Sequence, residues 1–453
     1  MLAIPCLVSC NSHNSRSHNS SGEGDDIDET EAPVNETPGK AHPCRTLDLK
    51  LYMESSGSMY SFDAAGSKGE FKRSIADMLN RFPGITGNDT SSVFIVNDNI
   101  YNYDGSVRDF LANREFFTSI KNIGNPSYTD FDKIFDIILA ETQPNQVSVL
   151  ITDLIYSVDG QGEVTASKLL NEAYTLTHNV FKGHTADMNL IAVKLTADFL
   201  GNYYPYNSPN KGTIYNGDRP FYALIFASDA ALCSLYECPD YKSFVNFSSI
   251  PGYDDMFCFT DMTFKPHISI IPNYAHEGRF RKSRSKNTRG AVSAIDNVEL
   301  SRNGKLTIPV ALNLSDLPLT ANYKANKDNY IVESNGRFEI EWIRPINDLG
   351  DYDESDGKNN GLENITKLMP DATHLMMIST QEIKNESISI KMTYRLPAWI
   401  NRSSSDDDSD IHSDTFSTTT FGLKDVMRGI FAAYVPEGST HYLFSFDIDI
   451  KKK

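Results

Sequence analysis

Ser56 and Ser58 flank Gly57 in the run Glu54-Ser55-Ser56-Gly57-Ser58-Met59, and these are the side chains whose type and spacing best suit chemistry. Gly57 lets the backbone bend tightly, so both hydroxyls can leave one turn together. A divalent cation such as Mg²⁺ takes about six hard oxygen ligands, and a pair of hydroxyls on one turn is a natural part of such a set. The competing uses are a helix entry and a nucleophile. No Gly-x-Ser-x-Gly surrounds either serine, and the ten His stand in no recognisable triad context, so a serine hydrolase ranks third and the chain does not read as an enzyme.

Other candidates are weaker. Tyr203, Tyr204 and Tyr206 follow a strand and could anchor a partner if exposed, or pack as a loop cluster. Arg279, Arg281, Lys282, Arg284, Lys286 and Arg289 form a basic run that suits a solvated loop, or an acidic partner. Asp351 to Gly357 echoes a calcium loop with its Gly one place late, and is expected to be a turn. Met1 to Cys10 is a short apolar run ending Leu7-Val8-Ser9-Cys10, which resembles a truncated bacterial lipoprotein signal with Cys10 as the lipidated residue. Residues 11–45 are rich in Ser, Asn, Asp and Glu and suit a disordered tether. Their acidic cluster also resembles the stretches that follow the lipidated Cys in surface-exposed Bacteroidetes lipoproteins. Cys44, Cys233, Cys238 and Cys258 remain, an even number that an oxidising compartment could pair, with the pairing open.

The elements that must position the serines follow from periodicity. Leu49, Leu51 and Met53 alternate with Lys50 and Tyr52, predicting a half-buried strand that runs straight into the Ser/Gly loop. Ser67 to Glu70 matches a capping box ahead of a helix with Phe71, Ile75, Met78, Leu79 and Phe82 on one face. A strand at 92–96, a helix at 107–120 and another from Phe131 come next. Val147 to Asp153 is a nearly continuous apolar run ending in a carboxylate, as a central parallel strand should be. A helix near 166–180, strands at 188–195 and 221–227 and a helix at 229–243 complete an alternation that predicts an α/β fold with a doubly wound, mostly parallel sheet. After residue 256 strict alternation at Phe338–Trp342, Ile388–Leu396 and Phe444–Ile450 predicts a β-rich, sandwich-like domain. One helix at about 421–435, capped by Thr418–Thr420, interrupts it, and 401–415 reads as a solvated loop. The expected organisation is therefore a signal at 1–10, a tether at 11–45, an α/β domain at 46–250 and a β-rich domain at 256–453.

Residues 46–245 resemble the von Willebrand factor A family, whose metal-ion-dependent adhesion site begins with Asp-x-Ser-Gly-Ser-Met after the first strand. Here Glu54 stands where the family has Asp. A subset of Bacteroidetes proteins with Glu or Asn variants around the same Ser-Gly-Ser-Met resembles the chain more closely. The resemblance implies that Thr129, in Ser127-Tyr128-Thr129-Asp130, and Asp153, in Leu150-Ile151-Thr152-Asp153, complete the site. It implies a Mg²⁺, Mn²⁺ or Ca²⁺ ion held by Ser56, Ser58 and Thr129, with Glu54 and Asp153 acting mainly through water and hydrogen bonds. An open position would then take a carboxylate from a partner protein.

The bulk properties bound the rest. At 453 residues two folded parts are expected, and a net charge of −18 argues against nucleic acid as a partner. No internal window is apolar enough to span a bilayer. The expectation is a cell-envelope lipoprotein, outer-membrane anchored, that binds a protein or surface ligand through the metal loop. The alternative is a metal-free interaction scaffold.

Overall fold

The computed structural model describes residues 44–85, 91–113, 116–156, 165–283, 291–353 and 358–453, with side chains omitted at Tyr352 and Asp353. Cys10, the tether up to residue 43, the basic residues Arg284, Lys286 and Arg289, and residues 354–357 of the acidic turn lie outside the described residues.

Seven strands, β1 (Asp48–Glu54), β2 (Ser92–Val96), β3 (Ile100–Tyr103), β4 (Gln146–Thr152), β5 (Met188–Tyr203), β6 (Thr213–Ser228) and β7 (Tyr253–Phe259), form one sheet in the order β3-β2-β1-β4-β6-β5-β7. β1 pairs in parallel with β2 and β4, so their C-terminal ends lie side by side. The remaining ladders are antiparallel. Beyond β4, the expected parallel continuation is replaced by the β5–β6 hairpin, whose register runs from Met188↔Ser228 to Tyr203↔Thr213. The sheet is therefore mixed, with a parallel centre.

Helices cover both faces. α1 (Glu70–Asn80), α2 (Val107–Ala112), α3 (Phe116–Ile120) and α6 (Asp229–Glu237) bury Phe71, Phe110, Phe117 and Leu232 with Leu51, Met53, Val149 and Ile225 of the sheet. α4 (Phe131–Glu141), α5 (Ala166–Lys182) and the C-terminal helix Leu423–Tyr434 bury Ile134, Phe181 and Met427 with Tyr52, Leu150 and Leu224 on the other face. Period-2 alternation in each strand does this sorting. Each fully buried side chain of this size contributes about 1.5–3 kcal/mol.

Several local expectations are corrected. The helix expected over 107–120 is two short ones, α2 leaving helical geometry at Asn113. The box at Ser67–Glu70 does not form: the residue before α1 is Gly69, with φ +74°, and Asp198 of β5 accepts from the Lys68 and Glu70 amides. Glu70 in turn accepts from the Asp198 amide at 3.2 Å, so a distant strand caps the helix. The C-terminal helix likewise starts after a glycine, Gly422, and is capped from a distance, the Lys424 amide donating to the Ser404 hydroxyl at 2.9 Å, while Thr420 bonds elsewhere. Pro239 ends α6 before the expected 243, since the residue preceding a proline disfavours helix.

The β-rich part holds two larger sheets, besides two-stranded pairings at 352–359 and 404–421. One orders Tyr330–Glu333, Glu386–Thr393, Tyr442–Lys452, Ala294–Glu299 and Arg279–Lys282, and the other Glu339–Pro345, His374–Thr380, Leu306–Leu312 and Ile268–Ile270. All their ladders are antiparallel except Ala294–Glu299 against Tyr442–Lys452. Ile308, Ile378, Ile388 and Ile448 join the same buried cluster as Leu150 and Leu224. The chain from Cys44 to Lys453 forms one compact unit, and β7 belongs to the first sheet. Cys44 and Cys238 form a disulfide, Cα atoms 5.6 Å apart, while Cys258 is a buried thiol.

Candidate functional site

β1 ends at Glu54 and β4 at Thr152, and their parallel register places Met53 beside Ile151. Glu54 and Asp153 therefore leave the sheet at one edge, the C-terminal edge of parallel strands where open α/β sheets bind ligands. From β1 the chain enters the Ser55–Ser58 turn and then a 3₁₀ turn, Met59–Asp63. The turn is pinned by the Ser55 amide donating to the Val96 carbonyl at 2.8 Å and the Gly57 amide to the Pro126 carbonyl at 3.0 Å. Thr129 arrives just before α4, whose N-cap is Asp130; the Asp130 amide donates to the Asn97 carbonyl at 3.0 Å and ties that loop to the end of β2.

Glu54, Ser56, Ser58, Thr129 and Asp153 thus come together from three segments, all buried. The Thr129 hydroxyl donates to Glu54 Oε1 at 2.5 Å, and the Ser58 hydroxyl to Asp153 Oδ2 at 2.5 Å. Ser56 and Ser58 hydroxyls lie 3.3 Å apart. The Ile155 amide donates to Asp153 Oδ1 at 3.1 Å. Glu54 Oε2 is buried with no hydrogen-bond partner. Between Asp153 and Ile155, Leu154 has φ +53°, a left-handed conformation strained for a branched residue and held by the Leu154 amide donating to the Thr152 hydroxyl at 2.8 Å.

Electrostatics set this cluster apart from an ordinary turn. Burial pushes the Glu54 carboxyl up to about 8, and the Asp153 charge pushes the same way against the Thr129 hydrogen bond. Burial also raises Asp153, opposed first by Ser58, then by the Ile155 amide and the Arg219 cation. Two buried carboxylates that repel one another are relieved when one keeps its proton or when a cation binds beside them. The donor chemistry fits a hard divalent ion: hydroxyls of Ser56, Ser58 and Thr129, two carboxylates, and one orphaned oxygen. Among the described residues no three His, Cys, Asp or Glu converge as ligands, so any such site depends on hydroxyls.

Sequence reasoning missed Arg219 and Asp408. Arg219 is 2% exposed, its guanidinium 4.7 Å from the Tyr203 ring and 4.1 Å from that of Phe416, and it donates to the Phe416 carbonyl. The loop at 401–415 is exposed along much of its length, as expected, but it is pinned to the sheet at Asp408, which is 3% exposed and accepts from the Tyr203 hydroxyl at 2.6 Å and the Tyr206 amide at 3.0 Å. Tyr203 is consequently corrected as a partner anchor, because its side chain is fully buried. Tyr206 stacks on Phe421 at 4.9 Å. Tyr204 remains half-buried beside the serine loop; a Cβ on Gly57 would lie 3.1 Å from its ring, so the two approach closely. Nothing in the local run Asp406–Asp410 signals burial, since its partners lie some 200 positions earlier.

Among the described residues no helix is long and apolar enough to cross a membrane. Comparison with family models, curated proteins and solved structures yields no match to this chain.

Proposed function

We propose that the protein is an exported, lipid-anchored envelope protein of von Willebrand factor A type that binds a protein or surface ligand through a divalent cation at Glu54, Ser56, Ser58, Thr129 and Asp153. The observation that carries this reading is the buried Glu54–Asp153 pair with its unpartnered Oε2. Ser56, Ser58 and Thr129 would hold the ion beside the two carboxylates. The ion would supply a Lewis-acidic point for a partner's carboxylate, while the chain's own groups orient it. The Cys44–Cys238 disulfide supports export, because such bonds persist in oxidising compartments. Lipidation at Cys10 and an outer-membrane location are part of the same proposal.

The second reading, a metal-free scaffold, is favoured by the hydrogen bonds that already pair Thr129 with Glu54 and Ser58 with Asp153. In that state one proton replaces the cation. Ser58 gives its proton to a carboxylate, not to an imidazole, which weakens the hydrolase reading further.

Titration calorimetry and thermal melting with Mg²⁺, Mn²⁺ and Ca²⁺ separate these. Saturable heat with a rise in melting temperature is expected for the wild type. Glu54→Gln should lose the response yet melt no lower without metal, because the amide still accepts from Thr129 and removes the repulsion with Asp153. Absence of heat with all three ions in the wild type would falsify the cation reading; ligand capture insensitive to EDTA would support the scaffold.

A further inference from the structure

The ring of Tyr204 lies against the serine loop at Gly57. A Cβ on Gly57 would sit 3.1 Å from its Cε2, and one on Gly212 3.1 Å from its Cε1, so the ring is wedged between the loop and the far strand of its own hairpin. Local sequence does not hold it there, for the turn Tyr204–Gly212 lies at the tip of a ribbon. β4 pairs with β6 only as far as Tyr222, and β7 pairs with β5 only as far as Leu195. Past those points the ribbon lacks sheet neighbours; on one side the 3₁₀ turn meets it, the Ser61 hydroxyl donating to the Asn202 carbonyl at 3.2 Å and Phe62 packing on Phe199, and on the other it is steadied by a distant segment.

That segment is Ser403–Phe421. Its ends are tied together, Ser404–Ser405 pairing with Thr420–Phe421, so it forms a closed loop. Thr420 bonds Tyr222 at 3.0 Å, and Lys194 donates to the Ser403 hydroxyl at 2.9 Å and the Thr418 carbonyl at 3.1 Å. Phe416 packs edge-on against Tyr203 and Tyr215, each at 4.8 Å, with Arg219 stacked beside it. Asp408 grips the ribbon where it turns, taking the Tyr203 hydroxyl and the Tyr206 amide on its two oxygens, the residues on either side of Tyr204-Pro205. A buried carboxylate that spends both oxygens on one turn fixes that turn's position.

We propose that Asp408 is a positioning residue for the serine loop: through the Tyr203–Tyr206 turn it holds Tyr204 over Gly57 and so controls access to the cluster at Ser56 and Ser58. The inference rests on the reading of that cluster as the functional site. It assigns a regulatory role to the 403–421 loop, in which loosening Asp408 uncovers the site without dismantling the sheet.

Amide hydrogen exchange on the full chain tests this, because the Gly57 amide is bonded to Pro126 and reports opening of the serine loop, while the Tyr206 amide reports release of the turn. Asp408→Ala removes both acceptors and is expected to speed exchange about tenfold at Gly57 and Tyr206, with α5 unchanged, as local opening does. Tyr204→Ala should speed Gly57 while leaving Tyr206 protected. Asp408→Asn, which keeps one acceptor, should restore much of the protection. The Mn²⁺ association rate should rise along with Gly57 exchange. Faster exchange at Tyr206 with Gly57 unchanged overturns the proposal, as does uniform acceleration that includes α5, which would mark Asp408 as merely structural. Failure of every variant and the wild type to bind Mn²⁺ counts against the cation reading alone, and exchange at Gly57 still decides the role of Asp408.

Discussion

Glu54 carries one more methylene than aspartate, and that length takes Oε1 to the Thr129 hydroxyl while Oε2 is left alone in the interior. A side chain so placed is costly unless charge or proton compensates it. Half-buried Asp229 and buried His374 show the same physics with opposite signs and can be read by pH. Burial lifts the Asp229 carboxyl to about 6, helped by Asp261 and Asp187 and opposed by the Asn189 hydrogen bond. The folded state then holds a proton that the unfolded chain has released, so stability from this group falls as pH rises from about 3.8 to about 6. Burial lowers His374 to about 4, aided by the nearby Lys324. There the unfolded chain binds the extra proton, so stability is lost as pH falls from about 6.5 to about 4. Urea midpoints against pH should therefore show Asp229→Asn gaining over wild type at pH 7 but not at pH 3.5, and His374→Leu faring relatively better at pH 4 than at pH 7. A parallel shift of either variant at all pH values would contradict the assignment.

At the scale of elements, long-range partners do work that local sequence usually does. Asp198 caps α1 from β5, and the C-terminal helix packs on α5 through Gly429. A Cβ at Gly429 would collide with the Thr177 hydroxyl and the Tyr174 carbonyl, the same Thr177 that donates to the Val426 carbonyl at 3.1 Å. Gly429→Ala, which improves helix propensity in isolation, should here destabilise by roughly 1–3 kcal/mol through overpacking. Denaturant melts check this, and a gain in stability would show that the helix pair is not closely packed. The β5–β6 ribbon is a further case: its outer half carries Tyr203 and Arg219 into a buried cluster that exists only because the 403–421 loop covers it.

At the scale of the whole molecule, the Cys44–Cys238 bond closes a span of 194 residues that contains Glu54, Ser56, Ser58, Thr129 and Asp153. Its neighbourhood is fastened twice more, the Leu47 amide and the Arg45 carbonyl both bonding the Tyr241 hydroxyl. Chain entropy alone gives such a loop a stabilisation on the order of 5 kcal/mol. Thermal melts with and without reductant should show a loss of that order, reproduced by the double variant Cys44→Ala with Cys238→Ala. Equal melting in both conditions would mean that the reduced chain retains equivalent constraint. One buried cluster joins the first sheet, the C-terminal helix and both β-rich sheets, so unfolding is expected to be shared between the two parts of the chain.

Much of the fold was legible because it is written in short periods. Alternation at Leu49–Met53, the apolar run ending at Asp153 and the stripe from Leu423 to Tyr434 all correspond to observed elements, and the ends of β1 and β4 bring Glu54 and Asp153 to one edge. Patterns of two and 3.6 residues record which side of an element is buried, and nothing more distant. What covers that side was decided only in three dimensions: the hairpin that breaks the parallel order, the disulfide partner of Cys44, the remote cap on α1, and the burial of Asp408 inside a run that looks solvated. The hairpin joins nearby strands, and alternation does not record strand direction; the others depend on contacts between residues more than a hundred positions apart, and a polar side chain looks the same in sequence whether water or a buried tyrosine completes its hydrogen bonds.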